Sequence, residues 1–408
     1  MSEETKNSKR KFIVMDIVFY GSSLNYDQGS GNLQELKKIT GWDGRQYTLV
    51  SRYALRYSLL KTGEQLGLWK LAPGEILERS GGEGKTVIQP SIRTLLSGEI
   101  LKYPDYDFFG YLITGTTPQN SREAPVKISH AISMTPYNYD SHFAGNLDLA
   151  KRMVEAGKAE KMDANLFTVE EHQTYYIYTV VIDIERIGKN EVYLAKDSEV
   201  GGDMKIKISE IDITDNKLII KEIEKSKEKK KEEIGIDNEI EITRKLLNDK
   251  IFLLEQISKN DVTEKVKNLV EAILNLNRDI KARKEILHPK LLILGLYEGN
   301  YQTFKDRIRL SNTYEEICEE ERISDENNKN KTKIIKKVVK LDKPVFEIAG
   351  EINADNWEDK HKQPEIVEED SIIEKIENFL TNNTNNEEKI YLFRSPEIEV
   401  REIKEEYC

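Results

Sequence analysis

An α+β fold is predicted by three features of this sequence. Its strands and helices alternate without the even strand–helix–strand rhythm of a doubly wound parallel sheet. Its two strongest strand signals, Lys11–Phe19 (KFIVMDIVF) and Thr174–Ile184 (TYYIYTVVIDI), lie far apart in the chain. Structured excursions, rather than one crossover helix, separate them.

The run Lys11–Phe19 is dense in β-branched and aromatic residues and stops before Gly21, as a buried strand does. Residues 21–50 are rich in Gly, Asn and Asp with scattered Lys, and read as a long binding loop. Ser51 is a natural N-cap for a helix running to about Lys61, with Gly63 as its stop signal. A short helical piece, Ser91–Leu96, follows Pro90, and strands are expected at Phe108–Thr114 and Val126–Met134. A helix is expected near Leu147–Ala156, then the long strand Thr174–Ile184, whose Tyr, Ile and Val content favours a pleated surface. Residues 204–223 read as a meander. The charge run 224–233 (EKSKEKKKEE) reads as a solvated helix or linker. Two amphipathic helices are expected at about 238–258 and 261–282, and a strand at Leu291–Tyr297 after Pro289. Beyond residue 311 the chain turns rich in Asn, Glu and Lys, and 323–333 and 382–388 are expected to pack poorly. There is no internal repeat.

Composition narrows the chemistry. The 408 residues carry a formal net charge of −11, which taken alone argues against nucleic acid. The excess of acid lies wholly beyond residue 190, however, and residues 1–103 lean basic. Binding follows local fields rather than net charge. The two cysteines, Cys318 and Cys408, have no neighbour at metal-ligand spacing, so a cysteine zinc site and a disulfide framework are not expected. The apolar run ending at Tyr20 is interrupted by Asp16 and too short to span a membrane. A cytoplasmic protein with no membrane partner is expected.

The segment GGEGKT at Gly81–Thr86 resembles a phosphate loop, but Arg79 stands where the motif needs its first glycine. A flexible hairpin or loop is the expected reading. None of His130, His142, His172, His288 and His361 lies in a paired ligand spacing. Asp16 and Asp183 could meet across strands as a two-carboxylate metal site, which keeps a metal-dependent ribonuclease open as a rival reading. No cofactor, metal or catalytic residue is otherwise expected.

The basic signal is denser. Lys37, Lys38, Arg45, Arg52 and Arg56 interleave with Gly41, Gly44, Tyr47, Ser51, Tyr53 and Tyr57. Lys and Arg neutralise phosphates, glycine lets backbone N–H groups approach, and tyrosine can stack on bases. Arg52 and Arg56 share a helix face at i,i+4. The plain alternative is a solvated helix with ordinary surface cations.

Those residues also carry a family resemblance. DIVFYGSSLNYDQGSGNLQELKKITGWDGRQYTLVSRYALRY (16–57), DFFGYL (107–112), REAPVKISHAISMTPY (122–137), YYIYTVVIDIERIG (175–188) and LHPKLLILGLY (287–297) occur in the order of a known pattern. The chain resembles the DevR-type backbone subunit of type I-B Cascade, a member of the Cas-seven superfamily of CRISPR proteins, over about residues 11–305. The resemblance implies a modified RNA-recognition-motif (ferredoxin-like) palm over 11–310. Fingers would lie at about 60–107, a thumb at about 135–172, and a divergent, partly flexible C-terminal extension at 311–408. It implies a non-catalytic subunit that binds guide RNA (crRNA) through phosphates and stacks on its own copies. Other Cascade subunits, and target DNA held through the crRNA heteroduplex, would be its further partners. Asn25, Asn32, Lys37, Lys38, Arg45, Ser51, Arg52 and Arg56 match the family's guide-backbone segment. Arg122 and Lys127 would extend the groove. Tyr139 and Phe143 are thumb candidates for wedging between bases, and Lys151 and Arg152 for phosphates. No aromatic signature of the ordinary RNA-recognition motif occurs, so base stacking on the sheet is not the expected mode.

Overall fold

The computed structural model describes residues 10–29, 31–80, 87–201, 204–311, 315–324, 332–340, 343–349, 364–381 and 388–403. Its elements combine many strands with few helices. Those that frame the molecule are, in chain order, β1 (Lys11–Ser22), β2 (Lys38–Thr40), β3 (Gln46–Val50), α1 (Arg52–Gln65), β4 (Val126–Ile128) and β5 (Ala131–Ser133). They continue with β6 (Ser141–Gly145), α2 (Leu147–Glu155), β7 (Leu166–Glu170), β8 (Gln173–Asp183), α3 (Val262–Leu274), β9 (Pro289–Glu298), α4 (Glu369–Thr381) and β10 (Lys389–Arg394).

A nine-stranded sheet runs in the order Glu365–Ile366, β10, β9, β1, β8, β5, β3, β2, with β4 also paired to β8. β1 pairs antiparallel with β8, from Phe12 opposite Asp183 to Ser22 opposite Gln173, and antiparallel with β9 on its other side. The central chain order is therefore strand, helix, strand, strand, helix, strand, with the strands lying fourth, first, third, second.

β1 reads as an apolar run broken only by Asp16 between Phe12 and Phe19, because both of its faces are covered. Ile13, Met15, Ile17 and Phe19 face a core shared with α1, α3 and α4. Val18 faces the other way, into a core closed by Phe304, Ile308, Phe346, Ile348 and Ile398. The C-terminal part thus supplies a strand of the sheet (β10), a packing helix (α4) and a cover for the opposite face. The stretches expected to pack poorly, 323–333 and 382–388, lie mostly outside the described residues.

α1 starts where the sequence placed it. The Ser51 hydroxyl accepts the Ala54 N–H, and Leu55, Leu59 and Leu60 are buried. It runs past Gly63, which is not a stop. The Trp69 ring lies 1.9 Å from where a Cβ on Gly63 would stand, so this glycine clears space for an indole.

A second hydrophobic core gathers Ile92, Leu95, Leu96, Ile100 and Ile113 with strands between residues 189 and 254. Several expectations fail in this part of the chain. Residues 238–258 form a hairpin, Ile240–Leu247 against Ile251–Ser258, not a helix. Asn248 and Asp249 at its tip both have positive φ (50° and 56°), in a tight three-residue loop between the paired Leu247 and Ile251. The helix expected to run to 282 ends at Leu274, and a hairpin, Asn277–Ile280 with Arg283–Ile286, follows. The charge run is solvated but extended, in the strand Lys227–Gly235. Residues 204–223 do form part of a meander, completed by that strand. The strand expected at Phe108–Thr114 begins only at Tyr111, because Pro104–Asp107 form a helical turn. Residues 21–50 are not simply a loop, since they contain β2 and β3.

Candidate nucleic-acid interface

The surface of interest begins where the chain leaves β1. Asn25 is buried and ties three segments together. Its carbonyl accepts the Lys37 N–H at 2.9 Å, and its side-chain oxygen accepts the Ser51 N–H at 3.2 Å. The β2–β3 hairpin and the start of α1 are thereby fixed to the end of β1. At the hairpin tip the Gly44 N–H donates to the Gly41 carbonyl (3.1 Å) and the Gly41 N–H to the Arg45 carbonyl (2.8 Å). Gly44 has φ of +76°, which favours glycine there. The Asp43 carboxylate accepts from the Tyr47 hydroxyl (2.8 Å), the Arg45 N–H (3.0 Å) and Arg45 Nε (2.6 Å). Those bonds, that of Tyr47 first, hold its pKa down to about 2.

α1 continues this surface as a ridge. Arg52 and Arg56 lie one turn apart, each over an aromatic ring: Arg52 over Tyr53 at 4.9 Å and Arg56 over Phe109 at 4.8 Å. Tyr53 and Tyr57, also one turn apart, are exposed. The Arg52 N–H donates to His130 Nδ1 at 2.9 Å, and Lys305 donates to the His130 carbonyl at 3.3 Å. Burial lowers the His130 pKa, and the charges of Arg52 and Lys305 lower it further. Burial likewise lowers Lys305 and Arg56. Among the described residues none of Arg52, Arg56 and Lys305 has a carboxylate within salt-bridge distance. Two arginines backed by aromatic rings, with the Lys305 ammonium close to the first of them, suit phosphate and base contacts.

The other sequence candidates divide sharply. Lys37 is half-exposed, 3.4 Å from Asp27, and Arg45 is exposed beside Asp43. Asn32 is exposed, and its carbonyl accepts the Thr168 N–H at the base of β7. Ser51 and Asn25 hold backbone in place rather than offering free donors. Lys38 is largely spent: Glu170 takes its ammonium at 2.6 Å and 2.7 Å and also accepts the Leu36 N–H, locking the hairpin to the end of β7. Lys127 is exposed but paired with Glu123 at 2.6 Å.

Arg122 is a correction. It lines a cleft, but its guanidinium is not free to contact a phosphate there. Its guanidinium, 5% exposed, donates to Asp107 Oδ1 (2.9 Å) and to the carbonyls of Lys189 (3.1 Å), Tyr106 (2.8 Å), Arg186 (2.6 Å) and Asp107. Asp107 also accepts from Lys265 (2.8 Å) and the Gly188 N–H (2.8 Å). Every donor of Arg122 is used inside the protein, at the junction of the two cores.

β6, α2 and β7 form the excursion expected as a thumb, tied to the main chain of residues 33–34 by parallel pairing. Tyr139 and Phe143 are exposed, as wedges would be. Lys151 and Arg152 are exposed too, but each carries its own carboxylate, Glu155 at 3.7 Å and Asp148 at 2.7 Å. Only Ala150 of α2 is buried, while Leu147, Leu149, Met153 and Val154 are exposed along with Met162 and Leu166. The excursion thus offers an apolar face rather than a basic one.

The rival two-carboxylate site does not assemble. Asp16 lies opposite Thr179 and Asp183 lies opposite Phe12. The two carboxylates are thus four residues apart along the ladder, about 13 Å. Asp16 accepts from the Thr179 hydroxyl (2.5 Å) and the Phe304 N–H (2.6 Å), and burial raises its pKa. Asp183 pairs with Arg10. No group of three or more His, Cys, Asp or Glu that could hold a metal occurs among the described residues. Gly81–Thr86, the phosphate-loop look-alike, and His361 lie outside the described residues. No described helix is long and apolar enough to cross a membrane.

Sequence reasoning missed two features, one half-buried and one exposed. Lys305 reaches His130 from a turn 175 residues further along the chain, and no local signal marks it. Trp42 stands fully exposed between two glycines, and that spacing was a visible signal.

Comparison with known proteins places this surface in context. No curated protein matches the chain. The solved chains similar to it include three from CRISPR assemblies. One belongs to a "CRISPR RNA-guided surveillance complex" (TM-score 0.35, 9% identity, covering 72% of this chain and 73% of that one). Another belongs to a "CRISPR RNA-guided surveillance complex, pre-nicking" (TM-score 0.40, 9% identity, 72% and 81%). A third belongs to a "Type IV-B CRISPR Complex" (TM-score 0.25, 17% identity, 42% and 73%). Residues 13–319 match the family described as "CRISPR-associated negative auto-regulator DevR/Csa2", and the chain belongs to that family.

Proposed function

We propose that this protein is a non-catalytic backbone subunit of a type I-B CRISPR interference complex (Cascade). In this reading it works in the cytoplasm, binds crRNA through phosphates and stacks head to tail with its own copies. Target DNA is then held through the crRNA heteroduplex. The observation that carries the reading is the α1 ridge, where Arg52 and Arg56 have no carboxylate partner among the described residues and Tyr53 and Tyr57 are exposed, with Lys305 bonded to the same His130 that takes the Arg52 N–H. The RNA-recognition-like (ferredoxin-like) palm is supported by the fourth–first–third–second strand order with α1 and α3 on one face. The opposite face, where an ordinary RNA-recognition motif stacks bases, is covered here by Phe304, Phe346 and Ile348. That favours backbone contacts from the edge hairpin and α1. The apolar thumb face suits a head-to-tail neighbour, a contact that grows a filament instead of closing a dimer.

The deciding experiment is to purify the protein without nuclease treatment and examine what accompanies it on a denaturing gel. Short RNA protected at regular lengths is expected. Protein free of nucleic acid, with no affinity for added single-stranded RNA, would refute the reading. Metal-dependent cleavage of that RNA, abolished by Asp16→Asn, would restore the ribonuclease alternative.

A further inference from the structure

Among the described residues Trp42 is the largest side chain left wholly in water, at 101% relative exposure. Its setting is rigid. Gly41–Gly44 form a hydrogen-bonded turn, and the Asp43 carboxylate beneath it accepts three bonds from Arg45 and Tyr47. Gly41 cannot gain a side chain, since a Cβ there would lie 2.7 Å from the Tyr47 ring and 2.9 Å from Asp43. A hairpin so firmly braced presents its indole in one place, which removes much of the ordering cost of binding.

The occupant is indicated by what surrounds the ring. A tryptophan that anchors a protein partner sits inside a patch of contacts that shut out water. Around Trp42 the exposed hairpin side chains are Thr40, Arg45 and Gln46, with Ile39 the one other apolar group. A nucleobase needs only a flat π-face and a cation nearby for its phosphate. Arg45 supplies the cation from the same turn, with its guanidinium largely exposed despite the bond to Asp43. Arg45 also lines a cleft of about 780 Å³ whose walls include Tyr20, Tyr175, Asn138 and Lys343. β3 passes directly from this tip into the α1 ridge.

We propose that Trp42 is a base-stacking residue, a sequence-tolerant platform for one unpaired nucleobase of the bound single-stranded RNA. The assignment rests on the RNA-binding reading above, and its test separates the two. Trp42→Ala removes no buried contact, so the melting temperature stays unchanged and the variant is properly folded. Its affinity for single-stranded RNA falls roughly 5- to 150-fold, the range of one lost base–aromatic stack. The slope of log affinity on log salt stays that of wild type, because no phosphate contact is lost. An abasic ribose-phosphate oligomer of equal length binds wild type and variant equally. In a Trp357→Phe background, which leaves Trp42 and Trp69, RNA quenches tryptophan fluorescence strongly and much less once Trp42→Phe is added, since Trp69 is half-buried and bonded through Nε1 to the Leu60 carbonyl.

Unchanged RNA affinity in Trp42→Ala, with RNA still bound, overturns the assignment and leaves the RNA-binding reading intact. A fluorescence change that follows protein concentration without RNA overturns it in favour of a second copy as the occupant. Failure of the wild-type protein to bind any RNA removes both.

Discussion

Asp107→Asn is the sharpest test of how the two cores are joined. Asp107 is 2% exposed and neutralises two cations, Arg122 at 2.9 Å and Lys265 at 2.8 Å, while accepting the Gly188 N–H. The substitution changes shape by almost nothing. It removes the only carboxylate paired with Arg122 or Lys265 among the described residues and turns one acceptor oxygen into an NH₂ donor. If the Gly188 bond keeps the remaining oxygen, that NH₂ faces the Lys265 ammonium. Carbonyls still take the hydrogen bonds of Arg122, and the Leu101 carbonyl takes one from Lys265 at 3.0 Å, but neither charge is balanced. Removing one partner of a buried pair costs about 3–5 kcal/mol, which corresponds to roughly a 150- to 5,000-fold shift in the unfolding equilibrium. Equilibrium urea unfolding followed by circular dichroism reads that loss as a lower midpoint. Lys265→Met in the Asp107→Asn background removes the facing ammonium and should recover part of the loss, as coupled neighbours do. A loss under about 1 kcal/mol, the value of an exposed pair, would refute the claim that this junction is dry and structural.

Three further outcomes follow from the same geometry. Arg52→Ala and Arg56→Ala should weaken binding to all single-stranded RNA sequences alike, and each lost phosphate contact should shallow the salt slope by roughly 0.7, read by fluorescence anisotropy at several KCl concentrations. Leu149→Glu with Met153→Glu on the exposed face of α2 should abolish cooperative loading of a long RNA while sparing single-site affinity on a short one; light scattering showing full-length arrays would place the copy-to-copy contact elsewhere. His172 is half-buried between Thr48 and Thr135, where the chain passes from β7 to β8, and burial lowers its pKa below the ordinary 6.5. The folded state then binds fewer protons than the unfolded one, so its contribution to stability is complete above pH 6.5 and is lost as pH falls below it; melting curves between pH 5 and 8 should show this slope, flattened in His172→Gln.

The backbone frame was largely legible before any fold was seen. β1 and β8 announce themselves because a strand buried on both faces must be apolar at nearly every position. α1 and α2 are bounded by short polar caps, Ser51 and Asn146, whose side chains accept the first free N–H groups of their helices. The hairpin at 240–258 was not legible. Leu246, Leu247, Leu253 and Leu254 satisfy a helical period as well as a strand period, and only the positive φ at Asn248 and Asp249 breaks the tie. Side-chain commitments were beyond sequence altogether. Arg52 and Arg122 are the same residue type, yet one lies open beside Tyr53 and the other spends its donors on Asp107 and on carbonyls up to 67 residues away. A cation's availability to a phosphate depends on whether folding brings a carboxylate or carbonyl to it first, and that is decided by long-range packing rather than by its neighbours in the chain.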